Sequence, residues 1–191
     1  GWHCEYAVEH GAAFVVGIDL SEKMLEEARK RNPSPLIRYK CVAVEDFDFQ
    51  PDMFDVVISS LTFHYLESFE EICHNVSICL TQGGSFVFSV EHPIFTAYGN
   101  QDWYYDKNGN PLHWPVDRYF SEGQRNAIFL GERVTKYHKT LTTYANSLIK
   151  TGFEITGLVE PEPEIELLDV IPGMRDELRR PMMLIISAIK K

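Results

Sequence analysis

Apolar and polar positions along the chain alternate between two spacings, one typical of strands and one typical of helices. A short apolar run at 14–18 ends on Asp19, and the stretch 21–31 that follows has an apolar stripe at helical spacing and stops at Asn32-Pro33. Further strands are predicted at 37–44, 54–60, 85–90, 153–159 and 181–189, and further helices at 69–80 and 140–151. The last strand, an unbroken Met-Met-Leu-Ile-Ile run, suits burial on both faces. Strands that alternate with helices predict an α/β fold with a parallel sheet.

This rhythm breaks between Glu91 and Tyr137. These 47 residues hold 10 of the 24 aromatic side chains, together with several glycines and prolines that signal turns. Long aromatic-rich connections are usually lids or binding loops. We therefore expect a single domain over 1–191 with a lid or substrate-binding insertion at 91–137, the alternative being a small packed subdomain that covers the sheet.

Charge and cysteine usage narrow the class of protein. The net charge of −10 disfavours a nucleic-acid partner, because binding a phosphate backbone requires clustered Lys and Arg. Four cysteines without a CxxC pair or metal-ligand spacing predict reduced thiols in a cytoplasmic protein, with no metal. No apolar run approaches the ~20 residues of a membrane span, so no membrane partner is predicted. The oligomeric state stays open.

Asp19 is the first residue that suggests chemistry. It follows a buried strand directly and precedes a helix, which is where α/β folds place a carboxylate that binds the hydroxyls of a nucleotide ribose. The sequence therefore predicts a ligand that contains a nucleotide.

Four short motifs occur in an order that resembles the class I S-adenosylmethionine-dependent methyltransferases, specifically the small-molecule, methyltransferase type 11-like group. They are Ile18-Asp19-Leu20-Ser21, Val44-Glu45-Asp46-Phe47, the strand from Phe54 to Leu61, and Leu80-Thr81-Gln82-Gly83-Gly84. The resemblance covers residues 1–90 and returns at 138–191. It implies a Rossmann-like sheet, mostly parallel with an antiparallel last strand, with helices on both faces. It also implies S-adenosyl-L-methionine as cofactor, with S-adenosylhomocysteine as product.

The same resemblance implies roles for individual residues. Asp19 would accept hydrogen bonds from both ribose hydroxyls, because a carboxylate has two acceptor oxygens. Leu20 and Met24 would pack on the adenine or ribose, and the backbone N–H of Val44 would meet an adenine ring nitrogen. The exocyclic amine would bind one of two acids, Glu45 or Asp46, with a lean to Glu45. Gly1 would end the glycine-rich loop, and Ser60 and Leu61 would lie at the edge of the active site.

The chain departs from the family at its beginning. The family's first strand and most of its Gly-x-Gly-x-Gly loop have no counterpart before Gly1, and the helix at 2–9 would be the one that follows that loop. A sheet that lacks this central strand would leave two unpaired edges. We therefore expect upstream residues to be absent from the sequence. If the 191 residues are the whole polypeptide, weak or no cofactor binding is expected, and titration with S-adenosylhomocysteine tests this.

Methyl transfer from a sulfonium is an in-line displacement, so the protein mainly aligns the reactants and removes a proton where the acceptor carries one. Three histidines are candidate bases: His64 and His92, which follow predicted strands, and His138, which precedes the helix from Thr140 and could close from above. Each could instead only bond a loop carbonyl. Glu91 could orient an imidazole or bind a substrate amine. Five aromatic residues could line a pocket or could be ordinary packing: Tyr65, Trp103, Tyr104, Tyr105 and Trp114.

The leading hypothesis is S-adenosylmethionine-dependent methyl transfer to an O, N or C atom of a small molecule. A non-catalytic binding module with the same fold is the first alternative. A nicotinamide-dependent oxidoreductase is the second, since it also has an acid after its second strand. It is disfavoured because dehydrogenases do not need the turn at 44–46 followed by the strand at 54–57.

Overall fold

A computed structural model describes residues 1–129 and 131–191, which form two compact units, 1–49 and 50–191. The first unit contains five elements in chain order: α1 (Trp2–Glu9), β1 (Val15–Asp19), α2 (Glu22–Arg31), β2 (Ile37–Cys41) and a 3-10 helix (Val44–Asp46). β1 and β2 pair in parallel, from Val15 opposite Ile37 to Asp19 opposite Cys41. β2 ends three residues earlier than predicted, because the 3-10 helix begins at Val44.

α2 has the boundaries that its sequence predicts. The Ser21 side chain caps its N-terminus and accepts a hydrogen bond of 3.3 Å from the N–H of Met24. Leu25 and Ala28 are the residues of its apolar stripe that become buried. The helix ends before Asn32 and Pro33, since proline cannot continue a helix.

The second unit has four β-strands in one sheet, plus the insertion. Its elements are β3 (Phe54–Ser60), a 3-10 helix (Phe63–Tyr65), α3 (Phe69–Cys79), β4 (Leu80–Glu91), α4 (Pro93–Ala97), β5 (Tyr104–Tyr105), β6 (Pro111–His113), β7 (Gly123–Phe129), β8 (Glu132–His138), α5 (Leu141–Lys150), β9 (Phe153–Val159), a 3-10 helix (Ile165–Leu167), α6 (Met174–Glu177) and β10 (Met183–Lys190). The sheet order is β3-β4-β10-β9. β3 and β4 are parallel, and β10 runs antiparallel to both of its neighbours. The predicted antiparallel last strand is therefore confirmed.

Aromatic side chains form the centre of this unit's core. Phe86 and Phe88 alternate along β4 and are buried, with their ring centroids 5.0 Å apart. Phe69 of α3 contacts Phe88 at 5.1 Å and Tyr144 of α5 at 4.9 Å. Burying each large ring contributes roughly 1.5–3 kcal/mol. α3 and α5 are thereby fixed against β4, and the carboxyl ends of β3 and β4 are held in place.

The predicted boundary between α3 and β4 is wrong. α3 ends at Cys79, and Leu80 to Gly84 belong to β4 rather than to the helix terminus. A Cβ at Gly84 would lie 2.8 Å from the carbonyl oxygen of Thr81, so this turn requires glycine. In β10, Leu184, Ile186 and Ala188 are buried while their neighbours are only partly buried. The strand is buried on one face and mostly only partly buried on the other, so the predicted burial on both faces holds fully for one face.

The insertion is an ordered part of the second unit over its described residues. It consists of α4 and two antiparallel hairpins, β5–β6 and β7–β8. Arg125 of β7 connects two parts of the insertion. Its Nε donates to the Ala97 carbonyl at 3.0 Å, and its Nη2 donates to the Ser121 carbonyl at 2.5 Å. No helix among the described residues is long and apolar enough to cross a membrane.

Candidate active site

Asp19 is the last residue of β1, and its side chain is exposed. Its Oδ1 accepts a hydrogen bond of 2.8 Å from the N–H of Ser21. Its carbonyl accepts one of 3.1 Å from the N–H of Val42. The backbone and one carboxylate oxygen are thereby fixed, while the charged group faces solvent at the carboxyl end of a parallel strand. This placement suits recognition of a ribose.

Two exposed apolar side chains follow Asp19. Leu20 is 74% exposed and Met24 is 59% exposed, the latter on the first turn of α2. Exposed side chains of this size next to a fixed carboxylate provide an apolar surface for a flat base or a sugar.

The predicted adenine turn folds as the 3-10 helix that begins at Val44. The N–H of a first helical residue has no acceptor within its own helix, which is the condition for the predicted bond from Val44 to an adenine ring nitrogen. Glu45 and Asp46 are both exposed in the same turn. Nothing in their burial separates the two acids as partners for the exocyclic amine.

Gly1 lies where only a glycine fits. A Cβ there would be 2.8 Å from the Cβ of Ala28 and 2.9 Å from Nδ2 of Asn32. Its carbonyl accepts hydrogen bonds from the N–H groups of Cys4 and Glu5, at 3.0 and 3.2 Å, and so starts α1. Close packing of this kind is the reason for the last glycine of a dinucleotide-type loop. The contact supports the predicted role of Gly1.

In the second unit, the strained residue at the end of β3 is Leu61, whose φ is +53°. Its N–H donates to the carbonyl of Ser89 at 2.9 Å and to Oγ of Ser89 at 3.2 Å. Ser60 bonds the same Ser89 hydroxyl at 3.4 Å. Non-glycine residues in the left-handed region cluster at functional sites. The strain falls on Leu61, one of the two residues predicted to lie at the active-site edge.

His64 is buried against the end of β4, with 2% of its surface exposed. Its Nδ1 accepts a hydrogen bond of 3.3 Å from the N–H of Glu91, so the ring proton is on Nε2, which lies 4.0 Å from Oε1 of Glu91. Burial lowers the pKa of His64 to about 4, and the Glu91 carboxylate opposes this only in part. The imidazole is therefore neutral at physiological pH.

This burial predicts an acid-sensitive contribution to stability. The folded protein protonates His64 only near pH 4, whereas the unfolded chain does so near its ordinary pKa of 6.5. The unfolded chain binds more protons between these values, so this stability is fully present above pH 6.5 and is lost as the pH falls through 4. We expect His64 to account for a loss of about 2–3 kcal/mol between pH 7 and 4.5. Urea denaturation of wild type and His64→Gln at both pH values measures it, and equal pH-dependent losses would contradict it.

His92 caps the insertion's first helix. Its Nδ1 accepts a hydrogen bond of 3.0 Å from the N–H of Ile94 and caps α4. Its Nε2 lies 2.8 Å from Oε1 of Glu160, a distance typical of an ion pair, although the angle falls short of a hydrogen bond. Burial lowers the pKa of His92, and Glu160 opposes the change.

His138 is fully buried, and both of its ring nitrogens are bonded. Nε2 lies 2.8 Å from the Tyr119 carbonyl, which can only accept, so the proton is on Nε2. Nδ1 then accepts from the Thr96 hydroxyl, also at 2.8 Å. Burial lowers the pKa of His138 as its largest effect. In this geometry all three candidate histidines hold backbone segments in place, and the prediction that one of them removes a proton stays a prediction.

A buried ion pair beside His64 was not found from the sequence. Lys136 of β8 donates to Oε1 of Glu91 at 2.5 Å and to Oε1 of Gln101 at 2.9 Å. Gln101 in turn donates from Nε2 to Oε2 of Glu91 at 2.7 Å. Lys136 is 2% exposed and Glu91 is 8% exposed. The network joins the carboxyl end of β4 to two separate parts of the insertion.

Comparisons with known proteins agree with this geometry. The methyltransferase domain family matches residues 1–88. A solved structure assigned as an S-adenosylmethionine-dependent methyltransferase from Listeria monocytogenes shares 59% identity, with all of this chain aligned to 86% of that chain and a TM-score of 0.96. An S-adenosylmethionine-dependent methyltransferase from Mesorhizobium loti shares 41% identity at the same coverage, with a TM-score of 0.90. An uncharacterized protein from Haemophilus influenzae is 33% identical, with all of this chain aligned to 77% of that protein.

An α/β fold with an exposed carboxylate at the carboxyl end of a parallel strand is typical of proteins that bind a nucleotide cofactor. With the relatives at 59% and 41% identity, the chain belongs to the S-adenosylmethionine-dependent methyltransferases, and its cofactor is S-adenosylmethionine. The residues described above fit that cofactor: an exposed carboxylate on Asp19, exposed apolar side chains at Leu20 and Met24, and a close glycine contact at Gly1.

Proposed function

We propose that this enzyme transfers a methyl group to an oxygen, nitrogen or carbon atom of a small-molecule acceptor. The observation that carries the proposal is the exposed Asp19 carboxylate at the end of β1, followed by exposed Leu20 and Met24. The net charge of −10 supports a small acceptor over a nucleic acid.

Residues of the first unit would hold the cofactor's nucleoside. Asp19 would accept from the ribose hydroxyls while Ser21 keeps its carboxylate oriented. Leu20 and Met24 would cover the ring faces, and the Val44 N–H would donate to the adenine. One of the two exposed acids at 45 and 46 would accept from the adenine's exocyclic amine.

Residues of the second unit would act on the acceptor. S-adenosylmethionine supplies an electrophilic methyl group when bound, so the protein needs to provide alignment rather than a covalent nucleophile. Ser60 and the strained Leu61 would form the edge of the active site. His64, His92 and His138 are the side chains proposed for proton removal where the acceptor carries a proton.

The insertion at 91–137 would serve as the lid over the acceptor. Its support is the network described above, in which Gln101 and Lys136 both bind Glu91 at the end of β4. A lid tied to a strand end through buried polar groups excludes water from the reacting atoms.

A tritium-transfer experiment tests the acceptor class. The protein is incubated with S-adenosylmethionine labelled on its methyl group and with separate small-molecule, protein and nucleic-acid fractions of a cell extract. We expect label in the small-molecule fraction with wild-type protein and at least tenfold less with Asp19→Asn. Label that appears only in the protein or nucleic-acid fraction would overturn the proposal.

A further inference from the structure

A cavity of about 720 Å³ in the second unit plays no part in the site described so far. Its lining is mainly apolar and includes four prolines, three methionines and two aromatic residues, Trp103 and Tyr105. The volume lies within the usual range for a small-molecule site, roughly 300–1,000 Å³. Its walls come from the insertion, from the segment after β9 and from the start of β10.

The acids at this cavity are largely neutralised by neighbouring arginines. Asp176 pairs with Arg179 at 2.8 Å. The Glu177 carboxylate accepts hydrogen bonds from two guanidinium nitrogens of Arg180, at 2.7 and 3.0 Å. A third acid, Glu162, is exposed. The site therefore favours a ligand of low charge over a polycation.

Cation–π stacking fixes the aromatic wall in advance. The Arg179 guanidinium lies 4.6 Å from the Trp103 ring centroid, and the same side chain donates to the Pro111 carbonyl at 3.0 Å. Arg180 lies 4.2 Å from the Trp114 ring, which meets Trp103 edge to face at 5.4 Å. Arg180 also lies 5.3 Å from the Trp103 centroid, so Trp103 is held by both arginines and by Trp114, and the part of it that lines the cavity need not reorganise on binding.

The cavity adjoins the reaction end of the sheet. Its lining residue Met183 pairs with Glu91 across β10 and β4, and the carbonyl of Met182 accepts from the N–H of His92 at 2.8 Å. In open α/β sheets, ligands bind at the carboxyl ends of the strands. A molecule in this cavity would lie beside the carboxyl end of β4 and the backbone of His92.

A second cavity, of about 580 Å³, is less suited to this role. Its central polar groups already bind one another. Glu122 accepts from the N–H of Thr140 at 2.6 Å and from two hydroxyls of the same turn, and Lys139 donates to the Leu66 and Tyr137 carbonyls. The polar groups that line this cavity therefore serve mainly to cap the N-terminus of α5.

We propose that the 720 Å³ cavity is the acceptor site and that it takes a flat, ring-bearing molecule of low charge. The inference rests on the proposed function. Trp103 and Tyr105 would stack on the ring, and the methionines would adapt to its edge. The methylated atom would be a ring substituent directed toward the end of β4.

The test uses 2-naphthol as a neutral ring probe, followed by ligand-observed NMR. Leu167 lines the cavity and is 39% exposed, so Leu167→Glu places a carboxylate at the cavity wall. Val170 belongs to the same segment, does not line the cavity and is 73% exposed, which makes Val170→Glu the matched control. We expect wild type to bind with a Kd on the order of 1 mM or tighter. Leu167→Glu should bind at least tenfold more weakly, with Val170→Glu within twofold of wild type.

Two further readouts separate this proposal from the proposed function. Transfer of labelled methyl to small molecules should fall at least tenfold in Leu167→Glu and stay unchanged in Val170→Glu. Binding of S-adenosylhomocysteine should be equal in both. Absence of naphthol binding, equal naphthol binding by the two variants, or unchanged methyl transfer in Leu167→Glu would overturn the acceptor site. If wild-type protein does not bind S-adenosylhomocysteine, the proposed function is overturned instead.

Discussion

Replacing Asp19 with asparagine is expected to weaken binding of S-adenosylhomocysteine about 100-fold. A hydrogen bond to a charged group contributes about 1.5–3 kcal/mol, and asparagine keeps one acceptor oxygen where the carboxylate has two. Loss of about 3 kcal/mol corresponds to about two decades in Kd. Asparagine can still accept from the Ser21 N–H, which holds Oδ1 at 2.8 Å in wild type, so the turn should persist.

Isothermal titration of purified protein measures this change. Glu26→Gln is the matched control, since Glu26 is an exposed acid on α2 and the substitution removes the same charge. Its Kd should stay within threefold of wild type. An Asp19→Asn variant that binds as tightly as this control would remove the ribose role from Asp19.

Replacing Lys136 with methionine is expected to lower the free energy of unfolding by about 3–5 kcal/mol. The substitution leaves the Glu91 carboxylate buried without the cation that lies 2.5 Å away in wild type. Breaking a buried pair from one side costs far more than losing an exposed pair, because the remaining charge stays desolvated. Gln101 would still donate one hydrogen bond to Glu91, so we expect a loss near the lower end of that range of unfolding free energy.

Chemical denaturation at pH 7 provides the measurement and two comparisons. The double variant Lys136→Met with Glu91→Gln removes the stranded charge and should regain at least half of the lost stability. Lys150→Met breaks an exposed pair with Glu70 and should change stability by less than about 1 kcal/mol. Equal effects of Lys136→Met and Lys150→Met would contradict the assignment of a buried network.

The elements that the sequence predicts well are those with local signals. The stretch 21–31 forms the helix that its apolar stripe indicates, and the Ser21 side chain caps it by accepting from the N–H of Met24 at 3.3 Å. Strand β3 has the predicted bounds, and Asp19 ends β1 as expected. In each case the determining residues lie within about four positions of one another, so the chain shows them directly.

The Glu91 network shows where such signals end. Lys136 lies 45 positions from Glu91, and only the fold of the insertion brings them together. Side chains alternate between the two faces of β8 whether or not one face is covered. The sequence pattern therefore does not distinguish a buried lysine on this hairpin from an exposed one. The histidines show a related limit. The sequence predicts that His64 and His92 follow strand ends, but only the structure shows that Nδ1 of each accepts a hydrogen bond from a backbone N–H.

Calorimetric titration of wild-type protein, expressed from its complete reading frame, tests the central claim most directly. With S-adenosylhomocysteine and NADH titrated in parallel, we predict saturable micromolar binding of S-adenosylhomocysteine and no binding of NADH. This result would mean that the turn at 44–46 and the exposed side chains of Leu20 and Met24 bind the adenosine part of S-adenosylmethionine. Saturable binding of NADH without binding of S-adenosylhomocysteine would contradict the account.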